Sequence, residues 1–216
     1  MKTKKSITAL TLTALLGLTA CGTEPGPAQA PDVAAAAESE PSAKTTESAT
    51  PTPDEPKKSK RGNIIKEIGQ GAGTFNIDTK DQLATFVVNA IEVDPVCTNP
   101  YAADYPAENG HFIALDVSIE TFPELAEEDY PNFDLNPNNM KIIAPNGTTS
   151  NASLATMGSY GCLNDAEEIP SNGLGPAEKA TGKIVIDSEV ASGILVITQG
   201  GSTGWEYAFG GATPNA

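Results

Sequence analysis

Side chains able to drive covalent catalysis are scarce in this sequence. Its single histidine, His111, follows an Asn109-Gly110 turn at the start of a strand pattern, and we expect it on the surface at a strand end. A serine nucleophile needs a base beside it and a sharp strand-to-helix turn. The run Gly158-Ser159-Tyr160-Gly161 has the wrong spacing for that turn. We therefore predict no catalytic residues and a protein that is not an enzyme.

Carboxylates are the other groups that could do chemistry, and they fall into two acidic clusters. The clusters are Glu124, Glu127, Glu128, Asp129 and Asp134, and then Asp165, Glu167 and Glu168. Asp134, Asn136 and Asn138 have the spacing that opens an EF-hand calcium loop, but Asn139 and Pro145 stand where that loop requires glycine and glutamate. Asp129 and Asp134 stay weak candidates for irregular Ca²⁺ binding. We favour a solvated acidic loop, and we predict no metal and no cofactor.

Three cysteines, Cys21, Cys97 and Cys162, are the remaining reactive residues. No CxxC spacing occurs, and one histidine leaves too few nitrogen and sulfur ligands for a zinc site. We favour a structural disulfide between Cys97 and Cys162. It would close a loop of about 66 residues and contribute roughly 4 kcal/mol in the chain-entropy model. The alternative is two free thiols.

Cys21 follows a short apolar segment with a positively charged start. The apolar residues 7–19 are too few to span a bilayer as a permanent helix, so residues 1–20 are predicted to be a secretory signal peptide. The run Leu18-Thr19-Ala20-Cys21 resembles a bacterial lipobox. The resemblance implies cleavage before Cys21, a diacylglyceryl group on its sulfur, and anchoring at the cell membrane, facing outside the cytoplasm. The alternative is an ordinary signal peptide in which Cys21 is incidental.

Composition separates a tether from a folded part. The 216 residues carry 28 acids and 13 bases, a formal net charge of -15, which argues against a nucleic-acid partner because phosphate neutralisation needs a basic surface. Residues 21–62 are rich in Ala, Pro, Ser, Thr and Glu and contain no aromatic residue, which predicts a disordered tether. Its basic end, residues 57–61, is interpreted as a solvated linker end. The alternatives are that these residues bind an anionic polymer or contact the acidic domain.

Residues 63–216 are predicted to form one all-β domain. Ile113, Leu115, Val117 and Ile119 alternate with polar or small residues, which is the period of a half-buried strand. Further strands are predicted at residues 84–93, 140–144, 183–187, 194–198 and 205–209, and the last two form the clearest hairpin. Residues 64–68 are open between an edge strand, a helical turn and a leader. The glycine-rich run at residues 69–73 lacks the βαβ context of a dinucleotide loop and is interpreted as a flexible lead-in.

Short strands separated by turns predict an antiparallel β-sandwich. A resemblance to a known family rests on four segments of the predicted strands. They are a glycine-led strand at residues 110–119, a strand entering a glycine turn at 141–147, a late strand at 181–187 and a closing segment at 205–207. The chain resembles a family of extracytoplasmic immunoglobulin-like domains of Gram-positive lipoproteins, related in fold to a secreted mycobacterial immunoprotective antigen. The resemblance implies an immunoglobulin-like β-sandwich outside the membrane, and it carries over no catalytic residue.

These features together predict a membrane-anchored extracytoplasmic lipoprotein. We expect a non-catalytic, immunoglobulin-like module that binds an envelope or surface protein, with no nucleic-acid partner. An alternative class is a small-molecule or metal-ion-binding lipoprotein that is accessory to a transporter. A third is an envelope hydrolase that uses two carboxylates as acid and base.

Overall fold

Two four-stranded β-sheets pack face to face in the computed structural model, which describes residues 55–201 and 203–214. In spatial order, the first sheet contains β1 (Ile64–Lys66), β8 (Gly204–Phe209), β7 (Gly193–Thr198) and β5 (Met140–Ile143). The second contains β2 (Gly71–Phe75), β3 (Gln82–Val93), β4 (His111–Thr121) and β6 (Lys179–Ser188). The predicted all-β sandwich is confirmed. The predicted signal peptide at 1–20, lipidation at Cys21 and the tether as far as residue 54 lie outside the described residues.

Alternation along the strands places the hydrophobic core between the two sheets. Ile113, Leu115 and Val117 on β4 are fully buried, as the period-2 pattern predicts. Phe86 of the second sheet meets Trp205 of the first edge to face, with ring centroids 5.1 Å apart. Such aromatic pairs contribute about 0.5–1.5 kcal/mol beyond the area that they bury. This contact therefore joins the two sheets directly.

Strand pairing is antiparallel throughout the described strands except at β1. The predicted hairpin of β7 and β8 is present, with Gly193 opposite Phe209. Residues 64–66, left open by the sequence, form a short edge strand parallel to β8, with Ile64 opposite Trp205. A three-residue strand is too short to display a periodic pattern, so the sequence identified neither this strand nor the direction of its pairing.

β2 occupies residues that were expected to be a flexible lead-in, so that prediction is wrong. Ala72 is buried, and the β2 backbone pairs with β3. A Cβ added to Gly73 would lie 3.1 Å from the carbonyl oxygen of Ala84. Glycine serves here because the two strands approach closely. The same lack of side chains removes the alternation by which a strand is recognised in a sequence.

Ordered structure begins before the predicted domain boundary at residue 62. Ser59 and Asn63 are buried, and both donate hydrogen bonds to Oε1 of Glu206 on β8, at 2.9 and 2.8 Å. Arg61 donates from Nε to Oε1 at 2.9 Å and from Nη2 to Oε2 at 2.8 Å. We call these contacts the Glu206 clasp. The basic run was predicted to be a solvated linker end, and Ser59 and Arg61 correct that prediction.

Helical structure in the described part of the chain is limited to short segments. One α-helix, α1, spans Met157–Tyr160, and the 3₁₀ turns are Ala102–Asp104, Pro123–Glu127, Pro137–Asn139 and Asp165–Glu167. No helix within residues 55–201 and 203–214 has the length and apolar character needed to cross a membrane.

Candidate functional site

A disulfide joins two loops on the outer face of the second sheet. Cys97 and Cys162 are bonded, with Cα atoms 4.5 Å apart, as the sequence predicted. The N–H groups of Thr98 and Asn99 donate to the Cys162 carbonyl at 2.8 and 3.1 Å, which extends the link into the backbone. Cys162 is fully buried in a small cluster that includes Val185 of β6. The segment after β3 is therefore fixed to the segment after α1.

Buried Asp187 on β6 is hydrogen-bonded to the same two loops. Its carboxylate accepts hydrogen bonds from the N–H groups of Glu108 and Asn109 at 2.7 and 3.1 Å. It also accepts from the Thr156 hydroxyl at 2.8 Å, and Thr156 caps α1 in a reciprocal arrangement with Ser159. Three donors satisfy a charge that would be costly to bury unpaired. Asp187 thus positions α1 and the turn before β4 together.

Three exposed tyrosines lie on these fixed loops. Tyr101, Tyr105 and Tyr160, which we call the tyrosine surface, are 69%, 44% and 55% exposed. A cavity of about 240 Å³ is lined by Asn99, Tyr101, Asp104, Tyr105 and Gly161. A Cβ added to Gly161 would lie 3.6 Å from the Tyr105 ring, which shows that α1 packs next to that tyrosine. The tyrosines are thus presented on a braced support.

A second cavity lies beside β6, the edge strand of the second sheet. It has a volume of about 260 Å³, and we call it the β6 groove. Its polar and charged lining comes from four segments of the chain and includes Asp134, Asn136, Ser159, Tyr160, Glu168 and Lys183. Leu135, Ile169 and Pro170 add apolar walls. Tyr160 and Gly161 are consecutive, so the β6 groove and the tyrosine surface are neighbours.

The fold brings one member of each acidic cluster into the β6 groove. Asp134 and Glu168 both line it. Burial raises the pKa of Glu168, and the charges of Asp165 and Glu167 raise it further. The Asp134 carboxylate accepts a hydrogen bond from the Asn136 amide. The two clusters, far apart in the sequence, therefore share one cavity through a single carboxylate each.

The weak calcium candidates are not placed together in that cavity. Asp129 is exposed and does not line the β6 groove, whereas Asp134 does. Within the described residues, no three His, Cys, Asp or Glu side chains form a group that could hold a metal ion. Asp129 and Asp134 therefore do not line the same cavity.

The residues weighed for catalysis have structural roles in this fold. His111 begins β4, and its Nδ1 lies 3.0 Å from Oδ2 of Asp94. The Ser159 side chain is buried, and its hydroxyl donates to the Thr156 carbonyl at 2.9 Å as part of the α1 cap. Its hydroxyl is therefore occupied in holding the helix.

Several of these residues were not predicted from the sequence. Asp187 and Glu206 are polar residues within apolar strand segments, and that mismatch was the available clue to their buried roles. The tyrosines at 101, 105 and 160 stand in turn-rich segments, where an aromatic side chain has no strand face to pack on. Aromatic residues within loops were the signal for the tyrosine surface.

These observations define an all-β sandwich with a disulfide-braced, tyrosine-bearing outer surface. The chain is similar to a solved structure, the 1.5 Å crystal structure of MPT63, a secreted protein from Mycobacterium tuberculosis. The two chains are 14% identical, the match covers 67% of this chain and 98% of that one, and the TM-score is 0.45. No protein-family model and no curated protein sequence matches the chain. The lipoprotein and immunoglobulin-like parts of the predicted resemblance stay predictions.

Proposed function

We propose that the protein is a non-catalytic binding module, held outside the cytoplasm by a lipid on Cys21. Its tyrosine surface contacts an envelope or surface protein. The observation that carries this proposal is the presentation of Tyr101, Tyr105 and Tyr160 on loops braced by a disulfide and by buried Asp187.

Tyrosine is enriched in protein interfaces because its ring buries a large apolar area while its hydroxyl retains a hydrogen bond. It also loses little side-chain entropy on binding, since only two torsions must be fixed. A braced loop lowers the cost of association further, because its backbone is already ordered before the partner arrives. The chemistry of tyrosine and the ordered backbone of the loops therefore favour a surface that binds a protein over one that is only solvated.

Two observations support the location outside the cytoplasm. The Leu18-Thr19-Ala20-Cys21 run resembles a lipobox after an apolar segment. The Cys97–Cys162 disulfide is typical of proteins that mature in an oxidising compartment. A lipid anchor with two or more acyl chains binds a membrane stably, whereas one chain gives only marginal binding.

Anchoring is tested by the mass and the partitioning of the mature protein. The peptide that begins at Cys21 should carry the mass of a diacylglyceryl group, and the protein should enter the detergent phase. Cys21→Ala should abolish both results, and the matched variant Thr23→Ala should preserve them. An unmodified Cys21 in protein that still fractionates with the membrane would contradict the lipid anchor.

The binding role is tested by photo-crosslinking in intact host cells. A benzophenone side chain replaces Tyr101 in one variant and Tyr130 in a control. Tyr130 is 87% exposed but lines neither cavity. A discrete protein adduct should form from position 101 and not from position 130. Equal adducts at both positions, or none at either, would contradict a specific interface at the tyrosine surface.

A second candidate function is favoured by the β6 groove. Its cavity of about 260 Å³ combines apolar walls with Asp134, Glu168 and Lys183, a lining suited to a small polar molecule. That function is a small-molecule-binding lipoprotein. Native mass spectrometry of protein isolated from its host would detect a co-purifying compound, and loss of that compound in Glu168→Lys would assign it to the groove.

A further inference from the structure

The hydrogen-bonding direction of β6 can be derived from its neighbour. The N–H of Asp94 donates to the Phe112 carbonyl at 2.7 Å, so the Phe112 carbonyl points away from β6. In a strand, alternate residues direct their main-chain groups to opposite sides. Ile113 and Leu115 therefore bond towards β6, where they pair with Ile186 and Ile184. The intervening residues of β6, at positions 183, 185 and 187, direct their main-chain groups outward.

Two of these three outward positions are covered by other segments. The Lys183 carbonyl accepts from the N–H of Ile169 at 3.2 Å. The N–H of Asp187 donates to the Leu154 carbonyl at 2.9 Å. Val185 lies between them, and its N–H and carbonyl have no hydrogen-bond partner among the described residues. Other segments therefore cover the edge of β6 on either side of Val185, and the main-chain groups of Val185 itself are uncovered.

The open position faces a cavity. Val185 is only 4% exposed, yet it lines the β6 groove. More than nine in ten buried main-chain groups in native proteins are paired, because an unpaired group loses its bond to water without replacement. An outward-facing pair of such groups beside a cavity indicates a strand edge that accepts a partner.

We propose that the β6 groove binds an extended peptide, which adds to the edge of β6 by pairing its main chain with Val185. This inference rests on the proposed binding role and names the chemistry of its partner. Strand addition of this kind draws affinity from main-chain hydrogen bonds and specificity from the pockets on either side. The covered positions Lys183 and Asp187 are four residues apart, about 13 Å at the rise of a strand, so the groove takes three or four peptide residues.

Charge in the groove selects a basic peptide. Asp134 and Glu168 supply two carboxylates, against the single ammonium of Lys183. The whole chain carries a formal net charge of -15, which adds a long-range attraction for a cationic ligand. Peptide side chains alternate between the two faces of a strand, so a basic residue at every second position places cations along one side.

Residue-resolved hydrogen exchange of the full chain tests the pairing directly. The probe is the four-residue peptide acetyl-Lys-Val-Lys-Val-amide. Without it, the Val185 N–H should exchange faster than those of Ile184 and Ile186, which bond to β4. Saturating peptide should slow exchange at Val185 at least tenfold. Protection of Val185 without peptide, in a dimer detected by sedimentation, would assign the edge to a second copy and overturn the proposal.

Matched peptides separate main-chain pairing from charge attraction. Methylation of the valine amides removes the donors on one peptide edge, and methylation of the lysine amides removes those on the other. One of the two methylated peptides should bind at least tenfold more weakly than the parent. The charge-reversed peptide acetyl-Glu-Val-Glu-Val-amide should also bind at least tenfold more weakly than the parent. Equal binding by both methylated peptides and the parent would overturn the pairing.

Protein variants place the peptide in the β6 groove. Val185→Pro removes the N–H and should abolish binding, whereas Thr181→Pro alters another outward position of β6 and should leave binding intact. If Val185→Pro does not fold, Glu168→Lys serves instead. It should weaken binding at least tenfold, and Glu92→Lys, an equal charge change on β3, should not. No binding of the parent peptide overturns this inference, while adducts from position 101 would still support the proposed function.

Discussion

Arg61 and Glu206 form a two-point ion pair between the segment before β1 and the face of β8 that points away from the core. The Glu206 side chain is completely buried, and the Arg61 side chain is 30% exposed. Ser59 and Asn63 donate to the same carboxylate, and Asn63 also accepts from the N–H of Gly204 at 2.9 Å. A carboxylate buried to this degree depends on every one of these donors.

Loss of the guanidinium should destabilise the fold strongly. Arg61→Ala leaves Glu206 buried with only neutral donors, and we expect the free energy of unfolding to fall by about 3 kcal/mol. Lys179→Ala is the control, because Lys179 pairs with Glu120 on the surface, where an ion pair contributes below about 1 kcal/mol. The measurement is urea unfolding of both variants. Equal losses for the two would show that the Glu206 clasp is not a stabilising contact.

The Glu206 clasp should also make stability depend on pH. Burial by itself raises the pKa of Glu206, but bonds from Arg61, Asn63 and Ser59 outweigh it and hold the pKa below its usual value. Its contribution is therefore complete above the ordinary carboxyl pKa of about 4.3 and is lost as the pH falls below it. In urea unfolding between pH 3 and 7, Glu206→Gln should lose less stability on acidification than the wild type does. Parallel curves would refute the assignment.

Glu168 should behave in the opposite sense. Its pKa is raised, first by burial and then by Asp165 and Glu167. Its contribution is therefore complete below the ordinary carboxyl pKa and is lost as the pH rises through the folded value. Relative to the wild type, Glu168→Gln should gain stability between pH 4 and 7. The same set of unfolding curves reports the sign, and a relative loss over that range would contradict it.

Tyr207 should be replaceable by phenylalanine with a gain in stability. Its ring is fully buried, burial raises the pKa of its hydroxyl, and that hydroxyl has no partner within the described residues. An unpaired buried hydroxyl costs on the order of 1 kcal/mol or more. We expect Tyr207→Phe to raise the free energy of unfolding by about 1 kcal/mol, while exposed Tyr105→Phe changes nothing. A loss of stability in Tyr207→Phe would reveal a bridging water.

Removal of the disulfide should cost stability and loosen the tyrosine surface. The sequence separation of 65 residues corresponds to about 4 kcal/mol in the chain-entropy model. We expect the double variant Cys97→Ser/Cys162→Ser to lose about that much in urea unfolding and to give weaker photo-crosslinking from position 101. Reductant should lower wild-type stability to the level of the variant and leave the variant itself unaffected. A variant as stable as the wild type would be evidence against the role assigned to the bond.

Much of the sandwich was predictable because its strands carry the alternation that burial of one face imposes. β4 showed that period, and turn residues marked the ends of β7 and β8. β2 was missed because its glycines carry no side chains to alternate. β1 was left open because three residues show no period, and its parallel pairing with β8 is a tertiary contact between distant segments.

The candidate site was less predictable because its parts come from separate loops. Cys97 and Cys162 could be paired by elimination, since chemistry left few alternatives. The β6 groove joins Asp134 to Glu168 only through the path of the chain around β6, and no local spacing encodes that path. The open edge at Val185 depends on which neighbours cover Lys183 and Asp187, a property of the assembled sheet alone.

The order of contacts at the start of the described chain sets a mechanical sequence. The N–H of Ile65 donates to the Lys57 carbonyl at 2.8 Å, so the backbone doubles back on itself before it enters β1. Tension from the proposed lipid anchor would first break the hydrogen bonds of that reversed segment. The force would then act on the ion pair between Arg61 and Glu206. The bonds between β1 and β8 would carry load only after both had failed. The sandwich would thus be shielded from the pull of the proposed anchor, because the reversed segment and the Arg61–Glu206 ion pair would both break before it.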